Sequence, residues 1–192
     1  LHLCHHNLES INTDKIDSGN AKHNLLLEVC MAAKYEGNSI DTHYTKHEHK
    51  YKDTGTASQL CTVLARSFAD IGDIVRGKDP FYGNTYESTQ REQLEKNLQK
   101  IFKQIHEDVT STSGKNKDAL KTRYQNDTDN YYKLREDWWN NNRKMVWYAI
   151  TCGAKGSQYF RQTCGSGEWT KDKCRCVTDV PTYFDYVPQF LR

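Results

Sequence analysis

The sequence predicts a mainly α-helical bundle with long loops and one disulfide-stapled region rich in glycine and cysteine. Apolar residues recur at helical spacing over 58–77 and again over 89–109. Three of the four tryptophans fall between 138 and 147, as expected for a helix that anchors a core. The apolar stripe ends before Cys152. Four cysteines lie within the next 25 residues, so disulfides are expected to stabilise this region in place of an apolar helical face.

Residues 1–57 are predicted to hold one helix and loops. The first 19 residues show little periodicity and are interpreted as a loop. A helix is predicted from about 20 to 35, and Gly37-Asn38 is predicted to end it. The segment 41–55 is rich in His, Lys and Tyr, and its polar character predicts an exposed helix or a loop.

Residues 58–152 are predicted to form a core of long helices. The stripe that begins near 58 stops at Gly77, which is a typical C-terminal signal. Further helices are predicted at 89–109, 118–124 and 129–151, with a loop at 111–117. The predicted core face of the last helix comprises Tyr131, Leu134, Trp138, Met145, Tyr148 and Ala149.

The remaining residues are predicted to complete a single domain over 1–192. Residues 153–180 contain glycines that interrupt any helix, so they are interpreted as a cysteine-rich loop. Residues 181–192 are too apolar for a free tail, and they are interpreted as the start of a helix that is cut short.

The composition argues against two classes of partner. No segment approaches the roughly 18 apolar residues that a membrane span needs, and the N-terminus lacks a signal-peptide pattern. The formal net charge is +2, which is too small for a typical nucleic-acid-binding domain. We therefore predict neither membrane insertion nor nucleic-acid binding.

The seven cysteines predict disulfides formed in an oxidising compartment. An odd number leaves at least one without a partner in the chain, and Cys4 is the first candidate. A metal or redox centre is the alternative, but Cys-x-x-Cys is absent and Cys174-x-Cys176 is too tightly spaced for a zinc knuckle. The disulfide candidates are Cys4, Cys30, Cys61, Cys152, Cys164, Cys174 and Cys176.

Motifs for catalysis and phosphate binding are absent. The chain contains no Gly-x-Ser-x-Gly, no Gly-x-Gly-x-x-Gly and no Walker-type loop. Asp70 and Asp73 lie one helical turn apart, the spacing of paired catalytic acids. Because no pocket-forming glycine or histidine accompanies them, we interpret both as solvated or N-capping carboxylates beside Arg66 and Arg76. We predict no enzyme activity and no cofactor.

One histidine pair has a spacing that suits zinc. His43-x-x-x-His47 places two imidazoles on one helical face. The segment lacks the His-Glu-x-x-His order, and surface histidines in a lysine-rich loop are the simpler interpretation. His2, His5 and His6 form a second group at the N-terminus, with a weaker claim. We predict no metal.

Clustered basic residues are the positive signal for binding. Several charge-assisted contacts to the sulfates or carboxylates of a glycosaminoglycan add up even though each is weak. A single cluster can equally be an ordinary solvated face, and the sequence leaves open which clusters converge. The candidates for glycan binding are Lys96, Lys100 and Lys103; Lys115, Lys117, Lys121 and Arg123; Arg143 and Lys144; and Lys171, Lys173 and Arg175.

Two long segments resemble one family. ARSFADIGDIVRGK at 65–78 and DYVPQFLR at 185–192 are similar to segments of the alpha-type Duffy-binding-like domain of Plasmodium falciparum erythrocyte membrane proteins. The resemblance covers essentially the whole chain. Members of the family begin earlier and continue into another helical subdomain, so we expect a partial domain. Further similar segments are Trp138-Trp139 through Arg143, Trp147 to Cys152, Tyr159-Phe160-x-x-x-Cys164, Trp169 and Cys174-x-Cys176.

The resemblance implies a helical bundle of the Duffy-binding-like type and an adhesive function. Such a domain is expected on the extracellular face of the infected red cell, within a larger membrane-anchored variant surface antigen. The implied partners are adjacent domains of that antigen and host red-cell receptors or glycans: heparan sulfate, blood-group sugars or complement receptor one, in rosetting and cytoadherence. The alternative is a structural, immune-variable scaffold that supports a neighbouring receptor-binding domain.

Overall fold

The computed structural model describes residues 8, 20–51, 59–78, 85–111, 117–165 and 167–192, and these residues are mainly helical. An isolated bridge joins Lys171 to Arg175, and the described residues form no β-strand. The predicted fold class is confirmed. The helices are α1 (Ala21–Tyr51), α2 (Gln59–Arg76), α3 (Thr85–Ser111), α4 (Lys117–Tyr124) and α5 (Tyr132–Ile150).

Helix α1 continues through Gly37, so the prediction that this glycine ends the helix was wrong. A Cβ atom at Gly37 would lie 1.9 Å from the carbonyl oxygen of Ile150. The glycine therefore permits close approach of α1 to the C-terminal end of α5, where a larger residue would force the helices apart. The exposed segment predicted after it is the C-terminal part of α1 as far as Tyr51, and residues 52–57 lie outside the described part.

Helix α2 has the amphipathic stripe and the C-terminal signal that the sequence predicts. Gly77 has a φ of 69°, and its N–H donates to the carbonyl of Ile74 at 3.1 Å. The N–H of Lys78 donates to the carbonyl of Asp73 at 2.8 Å, which completes a Schellman motif. The buried apolar positions of α2 include Leu60, Cys61, Leu64, Phe68, Ile71 and Val75.

Helix α5 crosses the centre of the bundle, where it packs against α1 and α2. Phe68 of α2 lies between Trp139 and Trp147, with ring centroids 5.2 Å from each. The predicted core face of α5 was partly wrong, because Met145 is 54% exposed while two arginines are buried. The buried residues of α5 are Leu134, Arg135, Trp138, Trp139, Arg143, Val146, Trp147 and Ile150.

Two disulfides hold the cysteine-rich region. Cys61 of α2 is bonded to Cys174, and Cys164 is bonded to Cys176. Cys30 and Cys152 carry free thiols, so neither forms the disulfide that the sequence suggested within the described residues. Burial raises the pKa of the Cys30 thiol, whereas Cys152 is exposed. Cys4 lies outside the described residues.

The C-terminal segment forms two short 3-10 turns, Phe184–Tyr186 and Gln189–Leu191, rather than the start of an α-helix. Val187 is extended before Pro188, as the proline ring requires of its predecessor, and this interrupts the helical path. The first turn packs against α2. The segment is therefore held by side-chain contacts rather than by continuous helical hydrogen bonds.

Candidate functional site

The basic side chains occupy two contrasting environments. One group is an arginine cluster in the interior, formed by Arg76, Arg135 and Arg143 with their carboxylate partners. The other group is a row of exposed lysines on α3. Because only side chains that reach solvent can contact a large ligand, the two groups have different functions.

Arg143 is held by a buried carboxylate. Its Nη2 lies 2.6 Å from Oδ1 of Asp185, and its Nε lies 2.8 Å from Oδ2. Trp139 Nε1 donates to the same Oδ2 at 2.9 Å. Asp185 has no solvent exposure, so α5 and the C-terminal segment share one desolvated ion pair. Arg143, a glycan-binding candidate from the sequence, is consequently not on the accessible surface.

Arg76 and Arg192 enclose the two aspartates that the sequence suggested as paired acids. Asp73 Oδ1 accepts a hydrogen bond from Arg76 Nη2 at 2.9 Å, and Asp70 Oδ1 accepts one from Arg192 Nη1 at 3.0 Å. Arg192 Nη2 also contacts Asp73 Oδ2. Asp73 is buried, so its interpretation as a solvated carboxylate was wrong. Each carboxylate is neutralised by a guanidinium, an arrangement that stabilises the fold.

Arg135 closes the C-terminal end of α2. Its guanidinium donates to the carbonyls of Ile74 and Val75 at 3.0 and 2.7 Å. It also forms a bidentate pair with Glu95 of α3 at 2.6 and 2.9 Å. The sequence analysis did not single out Arg135, and none of the family-like segments contains it. The partners of Arg135 are Glu95 and the end of α2, which are distant in sequence, so no local pattern could indicate its function.

The exposed lysines of α3 form what we call the α3 lysine face, defined by Lys96, Lys100 and Lys103. Their spacing places them on one side of the helix along about 10 Å of its length. They line an open groove of about 400 Å³, and the described residues provide no ion pair to any of them. The other residues of the groove are Gln93, Gln99, Asp129 and Tyr131.

The second predicted cluster contributes less free charge. Lys121 on α4 is exposed. Arg123 binds both oxygens of Asp137 at 2.6 and 2.7 Å, and this hydrogen bonding holds the pKa of Asp137 below its usual range. Lys115 and the side chain of Lys117 lie outside the described residues. Of this cluster, Lys121 alone among the described side chains has no carboxylate partner.

The remaining basic candidates, which are Lys144 and the group of Lys171, Lys173 and Arg175, lie at or beside the cysteine-rich region and are partly structural. Arg175 donates to the carbonyl of Tyr148 at 2.6 Å and to Thr151 Oγ1 at 2.9 Å. Lys144 is half-buried, with its Nζ 3.4 Å from the carbonyl of Val177. Lys171 is exposed and Lys173 is half-buried, so this group offers a scattered positive charge.

The described residues contain no metal site with available ligands. Cys164, Cys176 and Asp179 place their ligand atoms within 4.8 Å of one another. Both sulfurs are joined in a disulfide, so neither is a thiolate that could bind zinc. His43 is exposed, and the side chain of His47 lies outside the described residues.

The family model of the Duffy binding domain matches residues 1–192. The chain belongs to the Duffy binding domain family. The NTS-DBL1(alpha-1) domain of PfEMP1 from the varO strain of Plasmodium falciparum is 40% identical, with a TM-score of 0.75 over 99% of this chain. A DBLβ domain of PfEMP1 bound to human ICAM-1 is 26% identical, with a TM-score of 0.64 over 98%. No curated protein sequence matches the chain significantly.

These similarities confirm the resemblance to a Duffy-binding-like domain of PfEMP1 that the sequence predicts. Domains of this family are adhesion modules. The chain spans 40% of the NTS-DBL1(alpha-1) structure and 36% of the DBLβ structure. None of the described helices is long and apolar enough to cross a membrane.

Proposed function

We propose that the chain is a non-enzymatic adhesion module of a variant surface antigen, displayed on the outside of the infected red cell. Membership of the Duffy binding domain family supports this proposal, as does the similar DBLβ domain that is bound to human ICAM-1. The partners are host red-cell receptors or glycans and the adjacent domains of the antigen. The process served is adhesion to other cells, including rosetting.

The ligand that the geometry favours is a sulfated glycan such as heparan sulfate. The observation that carries this proposal is the α3 lysine face, where Lys96, Lys100 and Lys103 are exposed around one groove. An extended polyanion gains from several such contacts at once, and the interaction weakens as salt screens it. Blood-group sugars and complement receptor one are the other red-cell ligands implied by the resemblance.

The test compares charge reversals at two sets of three exposed lysines. One variant carries Lys96→Glu, Lys100→Glu and Lys103→Glu on the α3 lysine face. The matched control carries the same reversals at Lys22, Lys34 and Lys155, which are exposed elsewhere. We expect the first variant to leave a heparin column at much lower salt than the unmodified chain and to bind red cells weakly. The control variant should bind both heparin and red cells more tightly than the first variant does. Equal losses in both would show that overall charge, rather than this face, governs retention.

A scaffold function is the second candidate, and one observation favours it. Tyr183, Phe190 and Leu191 are 68%, 86% and 66% exposed on the C-terminal segment. Exposed apolar side chains grouped in this way are typical of surfaces that contact another polypeptide. If red-cell binding requires the attached neighbouring domain and survives reversal of the α3 lysine face, the scaffold function is the correct one.

A further inference from the structure

A second pocket lies beside the α3 lysine face and shares Lys96 and Gln99 with its groove. Its volume is about 490 Å³, and it is bounded by the C-terminal end of α2, by α3 and by the segment that leads into α5. We propose that this pocket binds an uncharged, hydroxyl-bearing sugar ring of the same glycan. The inference rests on the proposed function, because the neighbouring lysine face is the surface that binds the charged part of the glycan.

The polar groups of the pocket suit hydroxyls better than sulfates. Gln99 Nε2 donates to Oδ1 of Asn130 at 3.0 Å and to Oε1 of Glu95 at 3.2 Å. These bonds leave the acceptor Oε1 of Gln99 and the donor Nδ2 of Asn130 open to a ligand, and Ser88 adds a hydroxyl. A sugar hydroxyl both donates and accepts, whereas a sulfate only accepts. A set that contains both kinds of group therefore matches the hydroxyl.

The charges of the pocket also differ from those of the lysine face. The lining carries both signs of charge: Arg91 and Lys96 are basic, Glu92 is an exposed carboxylate, and Glu95 binds Arg135. The carboxylates repel a sulfate and oppose the charge of the two basic residues. The pocket is therefore less attractive to a polyanion than the adjacent face, where three lysines have no described carboxylate partner.

The apolar part of the pocket fits a sugar ring. Tyr132 is 52% exposed and lines the pocket, and the buried side chains of Ile74 and Leu94 also contribute to it. A pyranose ring carries C–H groups on its faces, which pack against an aromatic ring while the hydroxyls at its edge reach the polar groups. One aromatic side chain with nearby amides is a suitable arrangement for such a ring.

Two variants remove the proposed contacts at little cost to the fold. Asn130→Asp keeps the Oδ1 that Gln99 binds and replaces the open donor by an acceptor. Tyr132→Ala removes the exposed ring. Tyr86→Ala is the matched control, because Tyr86 is a tyrosine that is 73% exposed on α3 and does not line the pocket. Circular dichroism spectra and melting curves that match those of the unmodified chain show that each variant is folded.

The measurement is saturation-transfer NMR with lactose and N-acetyllactosamine as uncharged probes, at about 0.5 M NaCl, where charges are screened within about 4 Å. We expect the chain to bind at least one probe. Both pocket variants should weaken the affinity for that probe by about tenfold, and Tyr86→Ala should leave the affinity unchanged. Heparin retention should persist in both pocket variants. Absence of saturation transfer, or equal transfer in all variants, would overturn the pocket assignment. Loss of the proposed function appears separately, as heparin retention that is insensitive to the lysine reversals.

Discussion

The arginine cluster and the α3 lysine face carry the same sign of charge and differ in almost every other respect. Arg135 is fully buried and donates to two carbonyls and a carboxylate. Lys96, in contrast, is exposed, and no described carboxylate pairs with it. A guanidinium offers five donors in a rigid plane, while a lysine is a mobile point charge. The comparison teaches that the arginines hold helices together and that the lysines remain available for a ligand.

Removing the charge of Asp185 should give the largest effect. Asp185→Asn leaves Arg143 buried without a counter-charge, and breaking such a pair costs about 3 to 5 kcal/mol of unfolding free energy. For a chain of this size the midpoint of thermal unfolding should fall by about 6 to 20 °C. Thermal unfolding under non-reducing conditions measures the change.

The control is Asp118→Asn, which alters an exposed carboxylate in the first turn of α4. It should leave the midpoint nearly unchanged, because surface substitutions usually alter stability by less than about 0.5 kcal/mol. If the two variants melt at the same temperature, the distinction between a structural interior charge and a free surface charge is wrong.

The Arg143→Lys variant tests whether a positive charge alone is sufficient to stabilise the interior. Lysine keeps the positive charge but cannot reproduce the two parallel hydrogen bonds to Asp185 and the third to the carbonyl of Thr182. We expect a loss of about 1 to 3 kcal/mol in urea-induced unfolding. A variant as stable as the unmodified chain would mean that the geometry of the guanidinium contributes nothing.

Reversal of the α3 lysine face should show the opposite behaviour. The variant with Glu at positions 96, 100 and 103 is expected to unfold within about 1 kcal/mol of the unmodified chain, since each side chain is exposed. Urea-induced unfolding measures this, in parallel with the heparin column. A large loss of stability would place these lysines with the arginines as structural residues.

The Arg123–Asp137 pair is an intermediate case, with the smallest expected effect. The hydrogen bond from Arg123 lowers the pKa of Asp137 in the folded chain. Its contribution to stability is therefore present above the unfolded pKa of about 3.9 and is lost as the pH falls through the folded value. The melting temperatures of Asp137→Asn and the unmodified chain should differ slightly at pH 6 and converge at pH 2. If the difference in melting temperature were the same at both pH values, the ion pair would not contribute to the stability of the chain.

Local patterns predicted the fold well where one helix determines its own limits. The stripe of α2 and its stop at Gly77 depend on neighbours in the sequence, and both agree with the structure. Gly37 depends on the carbonyl of Ile150, which is distant in sequence, so the same residue type was misinterpreted there. The buried face of α5 was misjudged because an arginine counts as polar until its carboxylate partner is known.

The candidate site follows the same rule. The convergence of Lys96, Lys100 and Lys103 follows from helical spacing alone, and the groove beside them agrees with it. Arg143 looked equivalent in the sequence, and only the fold brings it to Asp185. The pocket that contains Tyr132 required three separate segments, so no local pattern could indicate it.

The disulfide between Cys61 and Cys174 also has a mechanical consequence. It closes a sequence separation of 113 residues, which includes the whole of α3, α4 and α5. When tension pulls on the polypeptide outside this loop, those residues cannot be drawn out while the bond is intact. Fully extended they would span about 400 Å. The lysine face lies inside this locked loop, so it keeps its shape under loads that stretch the flanking segments.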